Sequence, residues 1–237
     1  MPATPNSKWI RVDSDAGSFD AYLSLPPAGV QPDSPAIVLL QEIFGVNEHI
    51  RAVADQYAAD GYTVLAPDVF WRDAPRIELG YAGPDMERAI ALRKSVDVEA
   101  AVRDIAATVR TLRTHTGAGS KVAAVGYCFG GLLAYLSAAR GLVNAAVPYY
   151  GGGIQNNLQE ASALNVPVQF HYGALDAHIT PDAVANVRAA VAGKRGTEVF
   201  VYDGADHGFN CWARASYHQH SAALAHGRAL TFLAQTL

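Results

Sequence analysis

Apolar runs alternate with helical periodicities along most of the chain. Residues 9–12 (WIRV) and 19–25 (FDAYLSL) read as two short strands separated by a turn around 15–17. Ala36–Leu40 (AIVLL) is apolar throughout, as expected of a strand buried on both faces. A helical pattern over 49–59 stops at Gly61, and 62–66 (YTVLA) is the next strand, closed by Pro67. Residues 71–84 mix charge, Gly and Pro without a period, which predicts a loop placed to form part of a lid.

One long helical region is predicted over 86–115. Its apolar stripe is Val98, Ala101, Val102, Ile105, Val109 and Leu112. Residues 121–126 (KVAAVG) give another buried strand and 132–139 a helix. Ala145–Tyr149, 168–172 and 198–202 are further strands. Helices are predicted over 181–192 and 217–235. With no break in composition, one domain over 1–237 is the expectation, an α/β fold with a mostly parallel sheet and helices on both faces.

Composition narrows the function. Half of the 237 residues are hydrophobic and 17% are charged, which excludes a disordered chain. Two cysteines exclude a disulfide scaffold. The net charge is −4 and the 18 basic residues form no run, so no nucleic-acid partner is expected. No apolar stretch is long enough for a membrane span, and residues 1–20 lack the apolar core of a leader peptide. A cytoplasmic chain is expected, as a monomer or small homo-oligomer.

The most informative segment is Gly126-Tyr127-Cys128-Phe129-Gly130-Gly131. A buried strand enters it and a helix of small residues leaves it. This is the Gly-x-nucleophile-x-Gly elbow with cysteine as nucleophile. Side chains two residues either side of the nucleophile would block the close passage of strand and helix. The turn also sets Cys128 at a helix N-terminus, which favours a thiolate. By itself the pattern is equally that of a structural cysteine at a glycine-rich turn.

A thiolate needs a base, and the base an orienting group. The strand at 168–172 runs into Gly173-Ala174-Leu175-Asp176, and the strand at 198–202 into the loop carrying His207. Nucleophile, acid and histidine thus follow in the chain order of α/β-hydrolases, each just past a strand. Asp203 and Asp206 are rival acids, too close to His207 in sequence to approach its ring in the usual way. The loop Gln41-Glu42-Ile43-Phe44-Gly45 follows an early central strand, where such enzymes place one oxyanion donor. The Ile43 and Phe129 backbone N–H groups are the candidate pair. Glu42 is out of place beside such a hole, because its charge opposes both an oxyanion and a thiolate. It is either a helix-capping or surface glutamate or a control on the nucleophile.

QEIFG, GYCFGG, GALD and DHGF, taken together and in order, resemble the dienelactone hydrolase family, also called carboxymethylenebutenolidases. The resemblance runs from about Asp20 into the last helix. It implies an α/β-hydrolase fold without a large cap and a Cys-His-Asp triad on Cys128, His207 and Asp176. It implies hydrolysis of small esters or lactones without metal or organic cofactor. For Glu42 it implies a switch, in which the resting thiol contacts the glutamate and points away from the histidine until substrate displaces the glutamate, which then takes the thiol proton. Members acting on dienelactone hold its carboxylate with two arginines, and the matching positions here are Met86 and Cys211. Arg88 and Arg214 stand close by as substitutes, or as plain surface arginines.

Phe44, Trp71, Phe129, Tyr149 and Trp212 are candidates for an apolar pocket or for ordinary core. Cys211 is a structural thiol or a disulfide partner for Cys128. His171 and His178 flank Asp176 as local hydrogen-bonders. His218, His220 and His226 lack the spacing of a metal-binding helix face. Two other functions stay open: a general carboxylesterase or thioesterase on the same site, and a noncatalytic ligand-binding or redox-sensing module.

Overall fold

The computed structural model describes residues 6–117 and 119–237. The first five positions of the stretch read above as lacking a leader lie outside the described residues. The chain divides into two compact units, Met1–Val122 and Ala123–Leu237.

In the first unit the strands β1 (Asn6–Ser14) and β2 (Gly17–Leu25) form an antiparallel hairpin, with Ser14 facing Gly17 across its turn. β2 pairs antiparallel with β4 (Thr63–Pro67), and β4 pairs parallel with β3 (Ala36–Leu40). Every residue of β3 is buried, which is why its sequence shows no alternation. Helix α1 (Glu48–Ala59) starts where the Asn47 side chain accepts the Ile50 N–H at 3.2 Å.

The single long helix expected over 86–115 is two helices, α2 (Gly83–Ser95) and α3 (Val98–Thr116). Asp97 separates them. Its carboxylate accepts the N–H groups of Glu99 and Ala100 at 2.9 and 3.2 Å and so begins a new helix. The apolar stripe begins only at Val98, and all of its residues belong to α3.

The second unit is a parallel series, β5 (Val122–Tyr127), β6 (Ala145–Tyr149), β7 (Val168–Gly173) and β8 (Thr197–Tyr202), each paired with the next. Helices α4 (Phe129–Ala139), α5 (Pro181–Ala190) and α6 (Gln219–Thr236) follow β5, β7 and β8. Two short 3-10 helices, Ile154–Asn156 and Leu158–Ala163, lie between β6 and β7. Because these strands are parallel and in register, with Tyr127 beside Tyr149, Tyr149 beside His171 and Gly173 beside Tyr202, the loops that leave them emerge at one edge. No helix among the described residues is long and apolar enough to cross a membrane.

Candidate active site

Helix α4 begins directly after Cys128, three residues earlier than the periodicity suggests. Cys128 has φ +54° and ψ −112°, a conformation that L-residues rarely adopt and that marks a strained turn. The turn forms because its flanks are glycine. A Cβ on Gly126 would fall 2.0 Å from the Gly130 carbonyl oxygen, and one on Gly131 would fall 2.7 Å from the Gly151 Cα. The backbone of Cys128 is fixed at both ends: its N–H donates to Tyr149 O at 3.0 Å, and its carbonyl accepts the Gly131 N–H at 3.0 Å. Its side chain is partly accessible.

Asp176 lies three residues past the end of β7 and is buried. One carboxylate oxygen accepts the backbone N–H groups of His178 and Ile179, at 2.8 and 3.0 Å. The other is 2.7 Å from His207 Nδ1, in the loop after β8. Burial would raise this carboxyl, but the hydrogen bond and charge of His207, together with the two backbone donors, hold it below the usual carboxylate range. The rival Asp206 spends one oxygen on the backbone N–H of His207 itself, at 2.6 Å. Asp203 is exposed and lies on the same turn.

His207 is the meeting point. Burial works against its charged form. Charge interaction with Cys128, hydrogen bonds with Asp176 and Cys128, and the charge of Asp176 outweigh burial and raise its pKa to about 10. Histidine Nδ1 bonded to a carboxylate and the other face of the ring turned to a sulfur is an arrangement that can store a proton and hand it on. Two further rings touch the imidazole. Tyr150 meets it edge to face at 5.1 Å between centroids, and His178 does so at 5.3 Å. Sequence reasoning passes over Tyr150. Its only signal is its place at the end of β6, between the strands that lead to Cys128 and Asp176.

Residues 19–237 match the family model described as "Dienelactone hydrolase family". The chain belongs to the dienelactone hydrolase family. It is 34% identical over 221 residues to the carboxymethylenebutenolidase of Pseudomonas putida, covering 93% of this chain and 92% of that protein. It is 32% identical over 219 residues to carboxymethylenebutenolidase 1 of Cupriavidus pinatubonensis (strain JMP 134 / LMG 1197), covering 92% of each. A solved structure from Klebsiella pneumoniae subsp. pneumoniae MGH 78578, provisionally described as a dienelactone hydrolase, superposes with a TM-score of 0.87 at 31% identity, over 98% of this chain and 99% of that one. The fold is accordingly that of the α/β-hydrolases, mostly parallel, and among the described residues no segment forms a separate cap.

The other candidate residues of this dienelactone hydrolase family member sit as follows. Glu42 is buried and Ile43 half-buried in the loop after β3. That loop is tied to the 68–82 segment. Gln41 Oε1 accepts the Val69 N–H at 3.3 Å, and the Leu79 N–H donates to Phe44 O at 3.0 Å. Phe44 is buried with its ring 4.6 Å from Tyr81. Trp71 stacks on Phe19 and donates its indole N–H to Asp104 at 2.9 Å. Arg88 is exposed on α2. In the second unit Phe129 and Tyr149 are fully buried, and Tyr149 stacks on His171 at 4.4 Å, so its ring is core. Cys211 is buried and not in a disulfide, and Trp212 is exposed. The Arg214 guanidinium lies against Gly208, where a Cβ would come 2.5 Å from Nη1, so it packs directly on the residue after His207.

Proposed function

We propose that this family member hydrolyses small esters or lactones with Cys128 as nucleophile, His207 as base and Asp176 as the orienting acid. The observation that carries the reading is His207 bonded through Nδ1 to Asp176 at 2.7 Å while Cys128 is its other hydrogen-bond and charge partner. The Cys128 thiolate attacks the ester carbonyl, and the carbonyl π electrons move to oxygen. The Phe129 N–H, first in α4, is the oxyanion donor in this unit, and Ile43 supplies the second, as the chain order of hydrolases implies.

Collapse of the intermediate breaks the C–O bond. The leaving alkoxide takes the proton that His207 carries, leaving a thioester on Cys128 and a neutral imidazole. Water then gives a proton to His207 as its oxygen attacks the thioester. The acid departs and the thiolate–imidazolium pair returns. With a lactone, alcohol and acid leave as one hydroxy acid. Glu42 is the switch that the family resemblance implies: it takes the thiol proton when substrate arrives and returns it to the sulfur after the acid departs, while the proton that His207 gives to the alkoxide is a separate one, replaced from water. Two free cysteines suit a reducing compartment, the cytoplasm.

The test is turnover of p-nitrophenyl acetate during titration with iodoacetamide. One equivalent that abolishes turnover in the wild type, with Cys128→Ala inactive from the start, supports the reading. An absence of turnover with a slowly alkylated thiol favours a ligand-binding module instead.

A further inference from the structure

We infer that Tyr150 is a positioning residue for His207, held in a strained turn at the end of β6 so that its buried ring walls the imidazole into the arc between Asp176 and Cys128. This rests on the reading of His207 as the base that serves Cys128.

The first observation is the backbone. Tyr150 has φ +36°, in the left-handed region that a bulky side chain disfavours. The next three residues are all glycine, so the residue type that relieves such strain is abundant in this segment yet absent from this position. Strain at a residue beside a reactive cluster is kept when the side chain there is needed.

The second observation is how firmly the turn is held. The Tyr150 N–H donates to His171 O at 2.7 Å, on the strand that leads to Asp176. On either side of it, Tyr149 O accepts the Cys128 N–H at 3.0 Å, and the Gly152 N–H donates to Cys128 O at 3.3 Å. The segment that presents Tyr150 is therefore bonded to the backbone of the candidate nucleophile and to the strand of the candidate acid. A ring mounted there reports the spacing of both.

The third observation is where the ring goes. It is fully buried, 5.1 Å from the His207 ring at 61° and 5.4 Å from Phe209 at 69°. Phe209 lies two residues beyond His207, so Tyr150 contacts the histidine and its loop together. His207 is held by Asp176 at one ring nitrogen and hydrogen-bonds with Cys128, and its ring can still turn about the line between the two partners. Solid packing on one flank removes that freedom and excludes water there.

The experiment compares wild type with Tyr150→Gly and Tyr150→Phe. Glycine accepts the left-handed turn, so the ring is removed without new backbone strain. Phenylalanine keeps the ring and removes the hydroxyl. Both variants are measured for kcat and KM on p-nitrophenyl acetate across pH, and for the His207 imidazole titration by NMR. Tyr150→Gly is expected to lose about a hundredfold in kcat with KM little changed. Its alkaline limb and the His207 titration should move down by about one pH unit or more as the pair with Cys128 loosens. Tyr150→Phe should restore all three. A glycine variant with kcat near wild type, or with an unmoved His207 titration, overturns the inference, as does a phenylalanine variant as damaged as the glycine one. If the wild type hydrolyses no ester, the proposed function fails. The NMR titration then still decides whether Tyr150 positions His207.

Discussion

Asp176 divides its two carboxylate oxygens between different tasks. One is occupied by the backbone N–H groups of His178 and Ile179, and only the other, at 2.7 Å, is available to His207 Nδ1. The backbone donors hold the carboxylate independently of the histidine. The imidazole is thereby fixed in the tautomer with its proton on Nδ1 when neutral, leaving Nε2 as the atom that gains and gives up a proton.

Asp176→Asn tests that division. An amide has one acceptor oxygen, and the two backbone donors claim it, so its NH2 group faces His207 Nδ1. The ring must then turn to the opposite tautomer, whose proton points at Cys128 instead of accepting from it. Ester turnover should fall by about 10³–10⁴ with KM changed little. Steady-state kinetics on p-nitrophenyl acetate checks this, and a loss under tenfold would mean that Asp176 does not set the tautomer.

The pH dependence of stability follows from the same pair. His207 has its pKa raised from 6.5 to about 10 in the folded chain. A raised value means that the folded state holds the proton more tightly than the unfolded one. The stabilisation is complete below about pH 6.5 and is lost as pH climbs through about 10. Thermal midpoints should fall across that window in the wild type, and more shallowly in Cys128→Ala, which lacks the sulfur. Parallel curves for the two proteins would exclude a charged Cys128–His207 pair. Asp176 is shifted the other way, and its contribution is lost only as pH drops below the ordinary carboxylate range.

Much of the candidate site was legible because backbone demands leave marks on sequence. Gly126 and Gly131 are required by contacts that no Cβ could survive, and the parallel register of β5 to β8 turns chain order into adjacency. Cys128, Asp176 and His207 could therefore be picked out as candidates from the elbow motif and their order along the chain. The break between α2 and α3 was hidden because no Gly or Pro marks it, while the residue that makes the break, Asp97, acts through two capping hydrogen bonds. Tyr150 was illegible for the opposite reason. A left-handed tyrosine looks like any other tyrosine at a strand end, and only its backbone angle and ring position reveal it.

Gly126→Ala probes the elbow as architecture. The added Cβ would meet the Gly130 carbonyl oxygen at 2.0 Å, and this is backbone, which cannot swing aside as a flexible side chain would. The cost should be about 2–3 kcal/mol from overpacking. That corresponds to a thermal midpoint lower by roughly 5–10 °C for a chain of this length. Differential scanning fluorimetry measures it. A midpoint within 2 °C of wild type, roughly the shift for 1 kcal/mol, would show that strand and helix do not pass as closely as described.

Glu42→Gln separates the two readings of the buried glutamate. The substitution keeps size and shape but removes the negative charge and the ability to take up a proton. If Glu42 receives the thiol proton when substrate arrives, the variant should keep its fold and midpoint while turnover falls by at least about a hundredfold, the usual contribution of a positioned proton acceptor. The decrease should lie in kcat and be reproduced in single-turnover acylation, before any step that involves water. Circular dichroism confirms the fold and stopped-flow release of p-nitrophenol measures the acylation. Acylation as fast as in the wild type would leave Glu42 as a buried polar residue that serves the loop after β3 and not the nucleophile.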